Sequence, residues 1–374
     1  MLWLAGLFGL VAVGGAMFVD FSGGDDDLND TDDSDEAAGE GSGEDTGAVI
    51  VPPSEFLNPD DPDSSATDDG SASGSGDTGT STDDETGDGT DSATDGLNLS
   101  GTDEPELLTG SDWADILFGG DGDDQLDGNE GDDSLSGDGG HDVLHGGDGD
   151  DTLAGGWGRD LLHGEDGDDH IAGEDGDDTL YGHFGNDTLT GGGAEDVAHG
   201  GQGHDVLSGG EGSDALHGND GNDTLSGGTQ NDTLFGGRGN DLVWGADDDD
   251  TSDFLNGGDG DDTLVAGAGD IVTAGSGADL IMAGDIGGAP DGDQPPVELV
   301  DYDPEEDQLM VLWSPGSESE PEITVEQDPD APDEQVIRVN GAEALRVSGA
   351  APLSASDIQL VDVNDPTFAD LLPS

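Results

Sequence analysis

Between residues 110 and 244, glycine, aspartate and aliphatic positions recur every nine residues, through fifteen consecutive units without insertion or deletion. One unit reads Gly119-Gly120-Asp121-Gly122-Asp123-Asp124-Gln125-Leu126-Asp127 and another Gly146-Gly147-Asp148-Gly149-Asp150-Asp151-Thr152-Leu153-Ala154. Position one is always glycine, and position six is always aspartate, from Asp115 through Asp133, Asp178 and Asp223 to Asp241. Position eight is always aliphatic and usually leucine, with Ala198 and Val243 the least typical. Three additional residues around 247–252 break the register, which resumes at 257–265, runs one residue short over 266–273 and last reads well at 274–282. A fixed short period of this kind is the mark of a stacked repeat architecture.

The pattern assigns a role to each part of the unit. Glycines at one, two and four let the backbone adopt positive φ, so that carbonyl oxygens turn toward a common point, and the aspartate at six adds a charged oxygen. Positions seven to nine predict a strand too short to stand alone, its middle aliphatic side chain pointing opposite to its neighbours. That aliphatic ladder becomes a thin core only if successive units stack. The expected fold class is therefore all-β.

Beyond the repeats the pattern changes. A Gly- and Pro-rich break over 286–296 precedes short apolar runs at 297–302, 308–313, 335–339, 344–347 and 358–363, bounded by turn residues. They predict a small β-rich C-terminal domain over 297–374. At the other end, residues 2–19 carry no charge, and the segment 1–19 reads as a membrane anchor or as a cleaved signal, with a buried core helix as the third reading. No Lys or Arg precedes it, and Gly14, Gly15 and Ala16 make a weak cleavage site. Residues 20–105 are Asp, Ser, Thr, Gly and Glu without periodicity, apart from one apolar patch at 48–51 before Pro52 and Pro53. This composition predicts an acidic disordered linker ahead of a repeat domain spanning 106–285.

Charge sharpens the picture. The 374 residues carry a formal net charge of −89, with four Arg, no Lys and no Cys. Such a chain repels nucleic acid and anionic lipid and gathers cations. With 30% hydrophobic residues and 70 glycines, burial alone does not offset the entropy of ordering. Disulfides and thiolate zinc sites are excluded, whereas hard oxygen ligands abound and suit calcium, magnesium or manganese. One loop offers several carbonyls and one carboxylate, and completes a shell of six to eight oxygens only by sharing ligands with the loop stacked beside it.

Residues 110–282 resemble the RTX family with its hemolysin-type calcium-binding repeats. The resemblance implies a right-handed parallel β-roll of two units per turn, with calcium ions between loops one turn apart. It implies as carboxylate ligands Asp124, Asp133, Asp142, Asp151, Asp160, Asp169, Asp178, Asp187, Asp196, Asp205, Asp214, Asp223, Asp232, Asp241, Asp262 and Asp279, with carbonyls such as those of Gly119, Asp121 and Gly146 completing the shells. Trp113, Ala194 and Gln230 replace the fourth-position glycine, and His141, Arg159 and His204 at position five are expected to weaken cation binding nearby. The segments Leu299-Val300-Asp301-Tyr302-Asp303-Pro304 and Leu353-Ser354-Ala355-Ser356-Asp357-Ile358 are similar to the C-terminal regions of type I secreted members, implying export from a Gram-negative bacterium.

All eight histidines lie in the repeats, and four share position nine. With two units per turn, Asp127, His145, His163, Tyr181, His199, His217 and Phe235 stack in one outer column, about 4.8 Å apart. The opposite face carries Ser136, Ala154, Ala172, Thr190, Ser208 and Ser226. The aromatic column reads either as packing support for the sheet or as a pH-sensitive or transition-metal-binding stripe.

The chain contains no His-Glu-x-x-His zinc motif, no Gly-x-Ser-x-Gly elbow and no EF-hand loop. The expectation is a non-enzymatic, secreted or surface-tethered protein that folds on binding extracellular calcium, tethered to the membrane through residues 2–19 if these are retained. Its role is expected to be structural or adhesive, with the protein or glycan partner undefined. The alternatives are an accessory part of an RTX hydrolase or toxin system, and an ice-binding roll, the latter weakened by His170 and Val206 among the seventh-position threonines.

Overall fold

The computed structural model describes residues 96–246, 251–284, 295–313, 321–349 and 352–362. The apolar segment 1–19, residues 20–95 of the acidic stretch with its patch at 48–51, and residues 286–294 of the Gly/Pro break lie outside the described residues. The described residues form an all-β solenoid of two sheets, one of thirteen strands and one of fourteen. From Asn98–Ser100 to Gln308–Trp313, consecutive strands alternate between the sheets, so each strand pairs with the next but one, in parallel. The register is eighteen residues per turn, with Leu144 opposite Leu162 and His145 opposite His163. Two nonapeptides thus make one turn.

Position-eight side chains face inward from both sheets. Leu117, Leu126, Leu135, Leu144 and their successors to Val243 are buried, and the ladder continues through Leu255, Leu264, Val272 and Ile281. Strands run longer than positions seven to nine, as in Thr152–Gly158, because the first residues of the following unit keep pairing with the turns above and below.

The glycines have two separate jobs. From Gly120 onward position two is left-handed throughout the regular units, whether it holds Gly147 at φ 117° or Asn129, Glu165, His183 or Asn219 at φ between 76° and 81°. Position one, expected to need positive φ, does not adopt it. Its reason is space: a Cβ on Gly146 would lie 2.3 Å from Oδ2 of Asp151 and 2.9 Å from the Gly164 carbonyl oxygen. The fourth-position replacements Ala194 and Gln230 take the left-handed conformation at φ 88° and 79°, so their loops keep the common path.

The solenoid extends past the regular repeats at both ends. Asn98–Ser100 pairs with the strand beginning at Ile116, and Leu99 and Leu108 pack on the core eighteen residues before Leu117 and Leu126. The last residues assigned to the linker therefore form the first turn. At the other end, Val297–Leu299 and Gln308–Trp313 add to the two sheets, one to each. Ala342–Ser348 and Ile358–Asp362 then pair beside them. Ile323–Gln327, Glu334–Val339 and Ala342–Ser348 are antiparallel to one another and close the fourteen-stranded sheet. Val297, Leu299, Leu309, Leu345 and Val347 continue the same buried cluster, so the C-terminal strands share the core of the roll. A second cluster of Val265, Met282, Met310 and Leu312 packs apart from it.

The position-one argument is tested by a matched pair. Gly139 also lacks positive φ, and a Cβ there would meet nothing closer than 3.4 Å. Gly146→Ala should destabilise the calcium-loaded protein by about 1–3 kcal/mol, the usual cost of overpacking, whereas Gly139→Ala should stay within about 0.5 kcal/mol of wild type. Urea denaturation in calcium measures both, and equal midpoints would remove the steric explanation.

Candidate functional site

Two aspartate ladders run along the roll, one at each row of loops. In the first, the Asp133 N–H donates to Oδ1 of Asp151 at 2.7 Å, Asp151 to Asp169 at 2.8 Å and Asp169 to Asp187 at 2.9 Å. It continues through Asp205, Asp223, Asp241, Asp262 and Asp279. The second links Asp124, Asp142, Asp160, Asp178, Asp196, Asp214 and Asp232 in the same way. Every one of these carboxylates is at most 3% exposed.

Oδ1 is thus occupied by the backbone of the preceding turn, and Oδ2 is not. From Asp124 to Asp223 at every ninth residue, and again at Asp241, Asp262 and Asp279, Oδ2 is buried with no hydrogen-bond donor. A buried carboxylate oxygen left so is costly, and here the cost recurs at every loop. At many loops such an oxygen has a carbonyl for company. At Gly128, the Oδ2 of Asp133 and the Gly146 carbonyl oxygen approach one spot, and at Gly146 the pair is Oδ2 of Asp151 with the Gly164 carbonyl. Acceptors that converge without a donor suit a hard cation. Among the described residues no three His, Asp or Glu side chains gather at one point, so carbonyls must supply most of any shell. This donor set is the chemistry of calcium.

Burial dominates the electrostatics of the ladders. It pushes the carboxyls of Asp151, Asp187, Asp196, Asp223 and Asp262 up to about 7, helped by neighbouring carboxylates, against the lowering effect of the backbone hydrogen bond. Those of Asp142, Asp169, Asp178, Asp241 and Asp279 rise to about 6, again first through burial. Asp124, Asp133, Asp160, Asp205 and Asp214 shift the same way.

All sixteen aspartates expected as ligands fall on the ladders. Of the three expected carbonyl donors, that of Gly146 faces Asp133 Oδ2, whereas that of Gly119 faces the Glu106 carboxylate across Gly101. Asp121 lies at position three, where the equivalent carbonyl of Asp148 accepts the Gly131 N–H at 2.8 Å. Each keeps a second lone pair. The ladders also hold residues that the period missed. Asp253 and Asp270 follow Asp232, because one turn there has 21 residues and the next 17. Glu106 fills the sixth position of a degenerate unit, and its N–H donates to Asp124 Oδ1. The signal was present as Gly101, Glu106 and Leu108, in register but without the central glycines. Asp115 differs from the rest, since its Oδ2 accepts the Ser111 N–H beside the aberrant Trp113.

The position-five departures differ from one another. His141 and His204 accept the N–H groups of Arg159 and Asn222 through Nδ1, a role for an unprotonated ring nitrogen. All three counteract the upward shift of a ladder carboxyl, His141 that of Asp160, His204 that of Asp205 and Arg159, which pairs with Asp177 at 3.5 Å, that of Asp178.

A pH dependence follows. Exposed carboxyls of the unfolded chain titrate near 3.8 and the folded ladder at about 6 to 7, so between those values the folded chain holds protons that the unfolded chain has released. Folding without a cation is then favoured at the acid end of the window and lost as pH rises through about 7. In chelator, circular dichroism should report more β-structure near pH 5 than near pH 8. The opposite trend would contradict the burial of these carboxylates.

The model of the RTX calcium-binding nonapeptide repeat matches the chain in overlapping segments, among them 100–135, 127–162, 163–198, 190–225, 217–251 and 256–285. No curated protein matches the chain. Family match, parallel roll and donor-free carboxylate ladders cover the same residues, and through 100–285 the chain belongs to the RTX calcium-binding nonapeptide repeat family.

Proposed function

We propose that this is a non-catalytic, secreted or surface-tethered protein whose roll folds when extracellular calcium fills the loops, giving a stiff spacer with a structural or adhesive role. The observation that carries the reading is the run of buried Oδ2 atoms lacking a donor at successive turns. Asp133, Asp151, Asp169 and their ladder neighbours would hold the ions, together with position-one carbonyls such as those of Gly146 and Gly164. Calcium bound there supplies positive charge where burial otherwise forces protonation. The chain's part is to aim one carboxylate oxygen per loop and to close the loop with glycines. Because such a site does not preexist in an unfolded chain, binding energy becomes folding energy.

Location follows from the same linkage. Weak calcium sites of extracellular type fill at roughly 10⁻⁴ to 10⁻³ M, well above cytosolic levels, so folding would follow export. The C-terminal likeness to type I secreted proteins supports delivery outside a Gram-negative cell, where residues 2–19 would serve as tether or signal. The described residues are spent on two sheets and their connecting loops, which supports a scaffold rather than a catalyst.

Calcium titration followed by circular dichroism and small-angle scattering tests this reading. At neutral pH the chain should be expanded in chelator and compact in millimolar calcium. Replacing Asp169 and Asp187 together by Asn should act in opposite directions, raising β-structure in chelator and raising the calcium concentration needed for half-folding. A compact β signal of equal size with and without calcium would refute the coupling. Turnover of ester, peptide or glycan substrates in a screen of the calcium-loaded protein would refute the non-catalytic part.

A further inference from the structure

The outer surface of the fourteen-stranded sheet is nearly free of charge on a chain whose net charge is −89. Across the eight strands from Val143–Asp148 to Ile271–Ser276, positions seven and nine carry no carboxylate. Position nine holds a ring stack in which successive planes from His145 to Phe235 differ by only 4° to 12°, so the face they line is flat. Position seven beside it holds Val143, Leu161, Val197, Phe254 and Ile271, all half-buried or exposed. The thirteen-stranded sheet offers mainly Ser, Thr and Ala at the same two positions, so the apolar character belongs to one face.

The position-two column completes the face. It reads Glu165, His183, Gly201, Asn219, Gly237 and Gly258 in successive turns, so some places protrude and others are bare. A shallow, mostly apolar hollow opens over the bare part, lined by His217, Asn219, Phe235, Gly236 and Gly237. Glu165, the one carboxylate of the three columns across these strands, lies 3.1 Å from His145 Nδ1. We propose that this face is the interface of a twofold dimer, occupied by a second copy of the same chain.

A twofold axis along the strands, midway between those of His199 and His217, lays each column over its own counterpart and reverses the order of the turns. It sets His183 into the hollow at Gly237 of the second copy, Asn219 over Gly201 and Glu165 over Gly258. Every protruding side chain of that column then meets a glycine. The same axis puts Tyr181 against Phe235, Leu161 against Phe254 and Val143 against Ile271, apolar on apolar. Strands about 4.8 Å apart and five residues of about 3.3 Å each make a face of roughly 38 by 16 Å. A pair of such faces would bury about 1,200 Å² in all, the lower bound for a stable specific interface. Charge selects the occupant, because two copies of so acidic a chain repel over their carboxylate-lined loops and approach readily only through a surface that lacks them. The pairing needs the folded roll and is independent of its structural or adhesive role.

Sedimentation equilibrium of the full chain in millimolar calcium tests the pairing. A dimer should form in the micromolar range and tighten with added salt, which screens the repulsion between copies and leaves apolar contact intact. Val197→Glu puts a carboxylate beside the axis, close to that of the second copy, and should weaken the dimer at least about tenfold. Val206→Glu, the same change at an exposed position seven of the thirteen-stranded sheet, should pair as wild type does. Gly237→Asn fills the hollow with a residue that position two accepts at Asn219, and should weaken pairing. Adding His183→Gly to it restores the room and should recover pairing. Circular dichroism in calcium should be the same for all these proteins, which separates loss of pairing from loss of fold. A folded wild type that stays monomeric at about 100 µM in high salt, or equal weakening by the two glutamates, would overturn the second copy as occupant and leave the face to a foreign partner. A double variant no tighter than Gly237→Asn alone would overturn the proposed axis.

Discussion

Each loop of the roll buries a carboxylate against the carboxylate of the loop one turn away, and the rest of the structure depends on how that conflict is resolved. Adjacent turns lie about 5 Å apart, where two like charges at an effective dielectric near 20 repel by about 3 kcal/mol. Burying one leucine contributes about 1.5–3 kcal/mol. The inner ladder of Leu144, Leu162 and Leu180 therefore does not outweigh a fully ionised ladder of Asp142, Asp160 and Asp178, before any desolvation of those carboxylates is counted. Protons or divalent cations must intervene. The upward shift of the buried carboxyls expresses the first solution, and the oxygens without donors have the form of the second.

The same constraint explains the glycines. Position one approaches the Asp Oδ2 of its own unit so closely that no side chain fits, yet its backbone angle is ordinary. Position two demands a left-handed backbone and also runs close to the turn before it, a Cβ on Gly147 lying 1.9 Å from the Asn129 carbonyl oxygen, yet Asn129, Glu165 and His183 are accepted there in other turns. Sequence periodicity ranks both as glycine-rich and does not separate a steric requirement from a conformational one. Position one is invariant across the fifteen units, whereas position two varies.

Much of the fold was legible because the constraint is local and repeated: each nonapeptide states its own loop, carboxylate and core residue, and two of them close a turn. What was not legible depends on neighbours beyond the unit. The strand Asn98–Ser100 and the unit holding Glu106 lack the central glycines, but they stack because Leu99 and Leu108 fall in line with the core ladder. Asp253 and Asp270 were hidden by turns of 21 and 17 residues, since a nine-residue count loses phase where the ladder does not. The C-terminal runs were legible as strands, whereas their pairing onto the last turns is a property of the sheet edges they meet.

That tolerance of unequal turns separates what the roll must keep from what it can vary. An insertion is absorbed in the loop provided the next aspartate still reaches the N–H of its predecessor and the next aliphatic residue still faces inward. The outward positions carry neither duty. Position nine therefore holds Asp127, His145, Tyr181 and Phe235 at equivalent places in successive turns, all on the same backbone. A scaffold fixed from within by carboxylates and leucines leaves its surface free to acquire chemistry of another kind, and an unbroken imidazole and aromatic stack is something only a solenoid of near-constant rise can present.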